Sequence, residues 1–133
     1  MVKQIVWSSL AILITWLSFD LLLHRLLLKS IYDASANFWR PMDKLNIPLI
    51  YFVMFVLVGT FVLIYGFLIE QKSLTVGIKF GALFGLALSI SAGFGTYIHM
   101  PIPLRLAWAW FLGGLIKAIL AGVIVGLLIK RNL

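Results

Sequence analysis

The chain has 133 residues, of which 63% are apolar and only 11% charged, with a mean hydropathy of +1.12. A water-soluble fold of this size has too little interior to hide so much apolar surface, so the solvent for most of it is lipid. The net charge of +7 is spread as single cations at the ends of apolar runs, which suits anionic headgroups and argues against a nucleic-acid partner. Cysteine is absent, which excludes disulfides, thiolate metal sites and thiol nucleophiles.

Four apolar runs predict four membrane-spanning helices, at residues 5–28, 47–69, 75–98 and 104–129. Each is longer than the ~20 residues that cross ~30 Å of hydrocarbon at ~1.5 Å per residue. The expected fold is all-α: one domain, a bundle of four transmembrane helices in a polytopic membrane protein. Lys3, the first run and Ala34-Ser35-Ala36 imitate a secretory signal and its cleavage site. The run is too long and the small residues too far beyond it, so the first span reads as a retained helix.

Between the first and second spans, residues 30–46 form an interfacial loop or short helix. Ser30 and Asp33 fit a helix start, and Ile31, Ala34, Ser35 and Phe38 fall on one face. A helix lying on the membrane and ending at Arg40-Pro41 is expected, with Tyr32, Trp39 and Arg40 as headgroup anchors. Arg105, Trp108 and Trp110 fall at the same end of the fourth span, and Trp7 anchors the opposite end. Pro48, Pro101 and Pro103 stand where helices begin, and a missing N–H costs little there. Glu70 to Ser73 turns the second span into the third, and Met100 to Pro103 turns the third into the fourth.

Four spans put both termini on one side, here side A. Side A carries Lys3, Lys72, Lys79, Lys130 and Arg131, and side B carries Arg25, Lys29, Arg40, Lys44 and Arg105. The even split gives no orientation by the positive-inside rule. The chain is expected in a bacterial cytoplasmic membrane with cytoplasmic termini.

Small residues recur every four positions in the third span (Gly77, Gly81, Gly85, Ser89, Gly93) and in the fourth (Gly114, Ala118, Gly122, Gly126). Such rows let helix backbones approach closely where lipid supplies no hydrophobic drive. A tight antiparallel hairpin of spans three and four is expected, and the longer row also offers a face to another subunit or a second copy.

Two charges lie deep in the apolar runs. By helical rise, Asp20 stands about 22 Å and Lys117 about 18 Å from side A, near one level. A charge at that depth marks either helix assembly or function. One reading is a polar clasp that fixes helix register. The other is a proton or cation site, since desolvation in lipid favours the protonated carboxyl. His24 is spaced i, i+4 from Asp20 and Trp16 lies one turn inward, so the three share a face. His24 and His99, both towards side B, also form a minimal pair for b-type haem, with Arg25 or Arg105 for a propionate. Convergent ligands for zinc or another metal are lacking, and no cofactor is the leading expectation.

The pattern Asp20-Leu-Leu-Leu-His24, Leu27-Leu28, Tyr32, Ala34 and Trp39-Arg40-Pro41 resembles small bacterial four-helix membrane proteins to which no activity is assigned. That resemblance covers mainly the first 45 residues and implies architecture only. Small multidrug-resistance transporters also have four short helices with an acidic residue in the first. Here that residue is Asp, lies further along its helix and lacks their surrounding pattern, so the likeness stops at architecture.

No paired carboxylates, nucleophile elbow, phosphate loop or HExxH motif is present, so the chain does not read as an enzyme. The leading expectation is an accessory or assembly subunit of a larger membrane complex, surrounded by lipid and packed on other subunits or on itself. Two alternatives remain: a proton- or cation-coupled homo-oligomeric transporter working through Asp20, and a haem-binding electron-transfer subunit using His24 and His99.

Overall fold

The computed structural model describes residues 2–130. Arg131, one of the side-A cations, lies outside the described residues. The chain is 86% helical, and no strand occurs among the described residues, so the fold is all-α. Four helices are long and apolar enough to cross a membrane: α1 (Val2–Leu27), α3 (Ile47–Leu68), α4 (Leu74–His99) and α5 (Leu104–Leu128). A short helix, α2 (Lys29–Ala34), follows α1. The spans agree with the sequence reading to within a few residues at each end.

Local chemistry accounts for the helix starts. Asn46 caps α3 by accepting from the Leu49 N–H at 3.1 Å, with Pro48 in the first turn. Ser73 caps α4 through the Val76 N–H at 3.1 Å. At the same corner the Tyr65 hydroxyl donates to the Ser73 carbonyl at 3.0 Å. Lys72 donates to the carbonyls of Tyr65 and Ile69, satisfying backbone groups at the end of α3. Lys72 is drawn inward there, and desolvation pushes its ammonium below the ordinary lysine range.

The interfacial segment departs from expectation. The helix starts at Lys29 with no side-chain cap, and Asp33 instead accepts from Lys29 Nζ at 2.7 Å. It ends at Ala34 rather than Arg40. Ser35 folds its hydroxyl back onto the Ile31 carbonyl at 2.7 Å, competing with the helical ladder. Two 3₁₀ turns, Ala36–Phe38 and Met42–Lys44, complete the connection. Of the anticipated buried face, Ser35 is enclosed and Ile31 half-buried, whereas Ala34 and Phe38 are exposed.

The tightest packing is between α4 and α5, which run antiparallel with their small residues facing. A Cβ on Gly77 would strike the Gly122 carbonyl and lie 2.8 Å from the Gly126 Cα; one on Gly81 would strike the Ala118 carbonyl. Further along, Gly93 sits against the Ala107 carbonyl and Gly114 against the Ser89 side chain. Both rows are thus occupied within the chain as the expected hairpin, and the longer row's alternative role towards a second subunit loses its free surface.

α1 packs on α5 and on α3. Towards side A the bundle closes around Ile12, Trp16, Phe61, Val62, Tyr65 and Val125, with Phe80 of α4 tilted against Phe61 and Phe84 meeting it edge to face. Towards side B it does not close. Residues 47–57 of α3 include none that is buried. A second cluster of Leu28, Ile102, Leu106 and Ala107 ties the α1–α2 joint to the start of α5.

Gly81→Ala is expected to destabilise the protein by about 1–3 kcal/mol, because the added methyl meets backbone that cannot yield. Gly59→Ala, where a Cβ meets nothing within 4 Å, should be neutral or stabilising by up to ~1 kcal/mol through helix propensity. Thermal unfolding of the two variants in one detergent separates these outcomes.

Candidate functional site

Asp20 is the last α-helical residue of α1, and a π-helical stretch, Leu21–Leu27, follows it directly. The Leu28 N–H closes that stretch onto the Leu23 carbonyl, five residues back, at 2.8 Å. Two further π-helical turns follow, Ile64–Leu68 at the end of α3 and Ser91–Gly95 within α4. π-turns within α-helices re-aim side chains. The first and the last of the three border one cleft of about 200 Å³, lined by Asp20, Leu23 and His24 of α1, Ala92 of α4, and Trp110, Gly114 and Lys117 of α5; the turn that ends α3 does not. An adjoining, half-open apolar groove of similar size, about 220 Å³, is walled by Trp16, Leu57, Phe84 and the exposed Leu88.

Lys117 donates to Asp20 Oδ1 at 2.7 Å, so the sequence-derived levels of the two charges coincide and α1 and α5 are neighbours. The pair is not sealed: 19% of the Lys117 side chain and 25% of the Asp20 side chain are accessible. Trp16 holds Lys117 twice. Its indole N–H donates to the Lys117 carbonyl at 2.9 Å, and the ammonium lies 5.1 Å from the centre of its ring. Among the described residues no hydrogen bond reaches Asp20 Oδ2.

His24 lies 3.8 Å from Asp20 Oδ1 through Nε2, beyond hydrogen-bond range. The i, i+4 spacing therefore brings the two together without a direct hydrogen bond, because the π-helical stretch begins between them. The nearer partner of His24 is Tyr32, whose hydroxyl lies 2.7 Å from Nδ1. Trp110 donates its indole N–H to the same hydroxyl at 2.7 Å. An arrangement satisfying all three groups has Tyr32 donating to Nδ1 and the Nε2–H turned towards Asp20. Burial pushes the Tyr32 hydroxyl above its ordinary range, against the smaller opposing effect of the Trp110 hydrogen bond, so Tyr32 keeps its proton as a donor.

Tyr32 and Trp39 are half-buried and turn towards the bundle. They pack edge to face at 5.6 Å, and Trp39 lies 5.7 Å from Trp110 and donates to Ser35 Oγ at 3.1 Å. The interfacial segment therefore folds onto the side-B end of the cleft. Arg40 and Arg105 are exposed, as expected of headgroup-level cations, and Trp108 is exposed while Trp110 turns inward. The inward turn of Trp110 had a signal in the sequence. Residues 110, 114 and 117 share one helical face, so Trp110 belongs with Lys117. Tyr32 had none, since its direction is set by the break at Leu28.

His99 is exposed at the end of α4 and does not line the cleft. Both ring nitrogens of His24 face groups of its own chain. The pair proposed for haem is therefore not gathered at the cleft. Among the described residues no group of three or more His, Cys, Asp or Glu side chains is placed to hold a metal ion.

The four apolar spans and the fold define a helical integral membrane protein. No family model matches the chain, and no curated protein or solved structure is significantly similar to it.

Asp20→Asn and Lys117→Met should each cost somewhat less than the roughly 3–5 kcal/mol of a fully enclosed pair, because each side chain is partly accessible. The double variant should cost less than the sum, with a coupling of about 1–3 kcal/mol in a double-mutant cycle of unfolding. Strict additivity would mean that the pair does not join α1 to α5. Tyr32→Phe leaves the Trp110 N–H without its acceptor and should cost about 1–3 kcal/mol, with a shift of tryptophan emission as the local reading.

Proposed function

We propose that the chain is a small proton- or cation-coupled carrier of the bacterial cytoplasmic membrane, with termini in the cytoplasm, working through Asp20. The supporting observation is an ion pair at bilayer depth that opens on a cleft instead of being sealed by packing. A carrier needs its carboxylate reachable, and a quarter of the Asp20 side chain is accessible. The His24–Tyr32 hydrogen bond then runs from the cleft towards side B, a path along which a proton has groups to pass between.

The charge logic is simple. A cation arriving at Asp20 displaces Lys117, leaving an unpaired ammonium in a low-dielectric setting. Release of one proton from the cleft for each cation taken up restores its former net charge, so the coupling is one for one. The assignment of the small-residue rows to a partner no longer supports an accessory role, since those rows meet each other within the hairpin.

One observation favours the accessory reading on other grounds. Before Val58, α3 has no fully buried residue and turns Tyr51, Phe52 and Phe55 outward beside the open side of the bundle. A helix from another membrane subunit fits there.

Proteoliposomes loaded with a pH-sensitive dye test the carrier. Gradients of sodium, potassium or small organic ammonium ions should drive proton movement for at least one cation, and Asp20→Asn should abolish it while the protein stays folded. A response no greater than that of protein-free liposomes for every cation would sink the carrier. Stoichiometric foreign subunits in native mass spectrometry would then support the accessory role.

A further inference from the structure

The interfacial segment is lightly held. Residues 29–45 comprise one short α-helix and two 3₁₀ turns, and only Ser35 among them is buried. Among the described residues its side chains hydrogen-bond only to groups of the segment itself, with one exception. The exception is Tyr32, whose hydroxyl lies 2.7 Å from His24 Nδ1 on α1 and accepts from the Trp110 indole of α5 at 2.7 Å. One oxygen therefore ties the segment to two spans. Apolar contact adds to the tie, since Ile31, Tyr32 and Trp39 pack against the cluster of Leu28, Ile102, Leu106 and Ala107. Residues 36–38 and 40–44 are exposed.

That tie depends on the protonation of one ring. With His24 neutral, Tyr32 donates to Nδ1, accepts from Trp110 and leaves no polar hydrogen idle. In this arrangement Nε2 already carries a proton, so a second one goes to Nδ1. Nδ1 then has no lone pair, and the Tyr32 hydrogen loses its acceptor. The hydroxyl oxygen is left facing two N–H donors. A half-buried donor without a partner is costly, whereas opening lets water take it. The imidazolium has a better partner close by: Nε2 stands 3.8 Å from Asp20 Oδ1, and among the described residues no hydrogen bond reaches Oδ2. A charged ring is drawn to that carboxylate and away from Tyr32.

From this juxtaposition we infer that the interfacial segment is an acid-released strap. While His24 is neutral, the Tyr32 hydroxyl latches the segment over the side-B end of the cleft, and protonation of His24 frees it. Few charged groups face that ring. Asp20 precedes it by one turn on α1, Lys117 reaches the same carboxylate from α5, and Tyr32 comes from α2. α4 presents Ala92 at the cleft, α3 lines none of it, and Arg25, next in sequence, is exposed. Asp20 and Lys117 pair with each other, which leaves the ring facing little net charge. The latch needs only His24, Tyr32 and Trp110, so it stands or falls separately from the carrier. Acid at side B opens the cleft to water from that side, and neutral pH covers it.

The five tryptophans report on the strap directly, because each indole N–H gives its own resonance in a two-dimensional nitrogen–proton spectrum. The full chain in detergent micelles is titrated from about pH 8 to about pH 5, the range in which histidine takes up its proton. The Trp110 and Trp39 resonances should shift along one curve with one midpoint. As the pH falls, the Trp39 indole should pass from ordered to mobile in its heteronuclear NOE. Trp7, towards side A on α1, should keep both its position and its order. Tyr32→Phe, which cannot latch, should show a mobile Trp39 at every pH. His24→Asn puts an acceptor oxygen where Nδ1 stood and has no titrating ring, so it should hold Trp39 ordered throughout.

A Trp39 indole that stays ordered across the whole range in the wild-type chain would overturn the strap without reliance on any variant. So would the same acid transition in folded His24→Asn, or an ordered Trp39 at pH 8 in folded Tyr32→Phe. Loss of order at Trp7 together with Trp39 would mean general unfolding in acid and would count equally against it.

Discussion

Where α4 and α5 meet, their backbones come so close that a methyl group has no room between them, and two helices in that relation cannot slide. The contact is repeated from Gly77 against Gly122 and Gly126 to Gly93 against Ala107, almost the whole depth of the membrane. Lipid tails are as apolar as leucine, so burying leucines would have supplied no comparable force; close van der Waals approach does. Everything at the cleft is referred to this hairpin. Trp110, Gly114 and Lys117 stand on α5, and Ala92 on α4 forms the facing wall.

Against that fixed pair, α1 is held by polar contacts whose geometry is specific. The Trp16 indole finds the Lys117 backbone and the Asp20 carboxylate finds its ammonium, on successive turns of the same face. Leu23 closes on Gly113, where a side chain on α5 would collide with it. The outcome is a bundle that is dense towards side A and open towards side B, with its one cross-helix ion pair among the described residues at the boundary between the two regimes.

The four spans were legible because apolar runs of that length have one stable solution in lipid. The hairpin was legible from the four-residue recurrence of small side chains, and the level of Asp20 with Lys117 from helical rise alone. What escaped sequence reading shares a cause. Tyr32 and Trp39 carry the composition of headgroup anchors, but their direction depends on how the chain leaves α1 at Leu28 and on Ser35 folding back to Ile31. Neither event has a composition. The distance from His24 to Asp20 escaped for a related reason: a spacing of four implies contact only where the helix is α, and here it is not. His99 and Arg105 were placed by proximity to a span end, and exposed ends are where they are found.

The π-helical stretch after Asp20 has a consequence for how the helix is phased. A π-turn takes one residue more than an α-turn, so the residues beyond it present a different face from the one that simple continuation would give. Residues before Asp20 address Trp16's side of the bundle; His24 addresses the interfacial segment through Tyr32. One continuous rod thereby serves two neighbours in different directions, and the residue at which its aim changes is the carboxylate itself. Removing a single leucine from Leu21–Leu23 would let the ladder close as α-helix with one residue fewer between Asp20 and His24, so the width of this turn sets which neighbour His24 can meet.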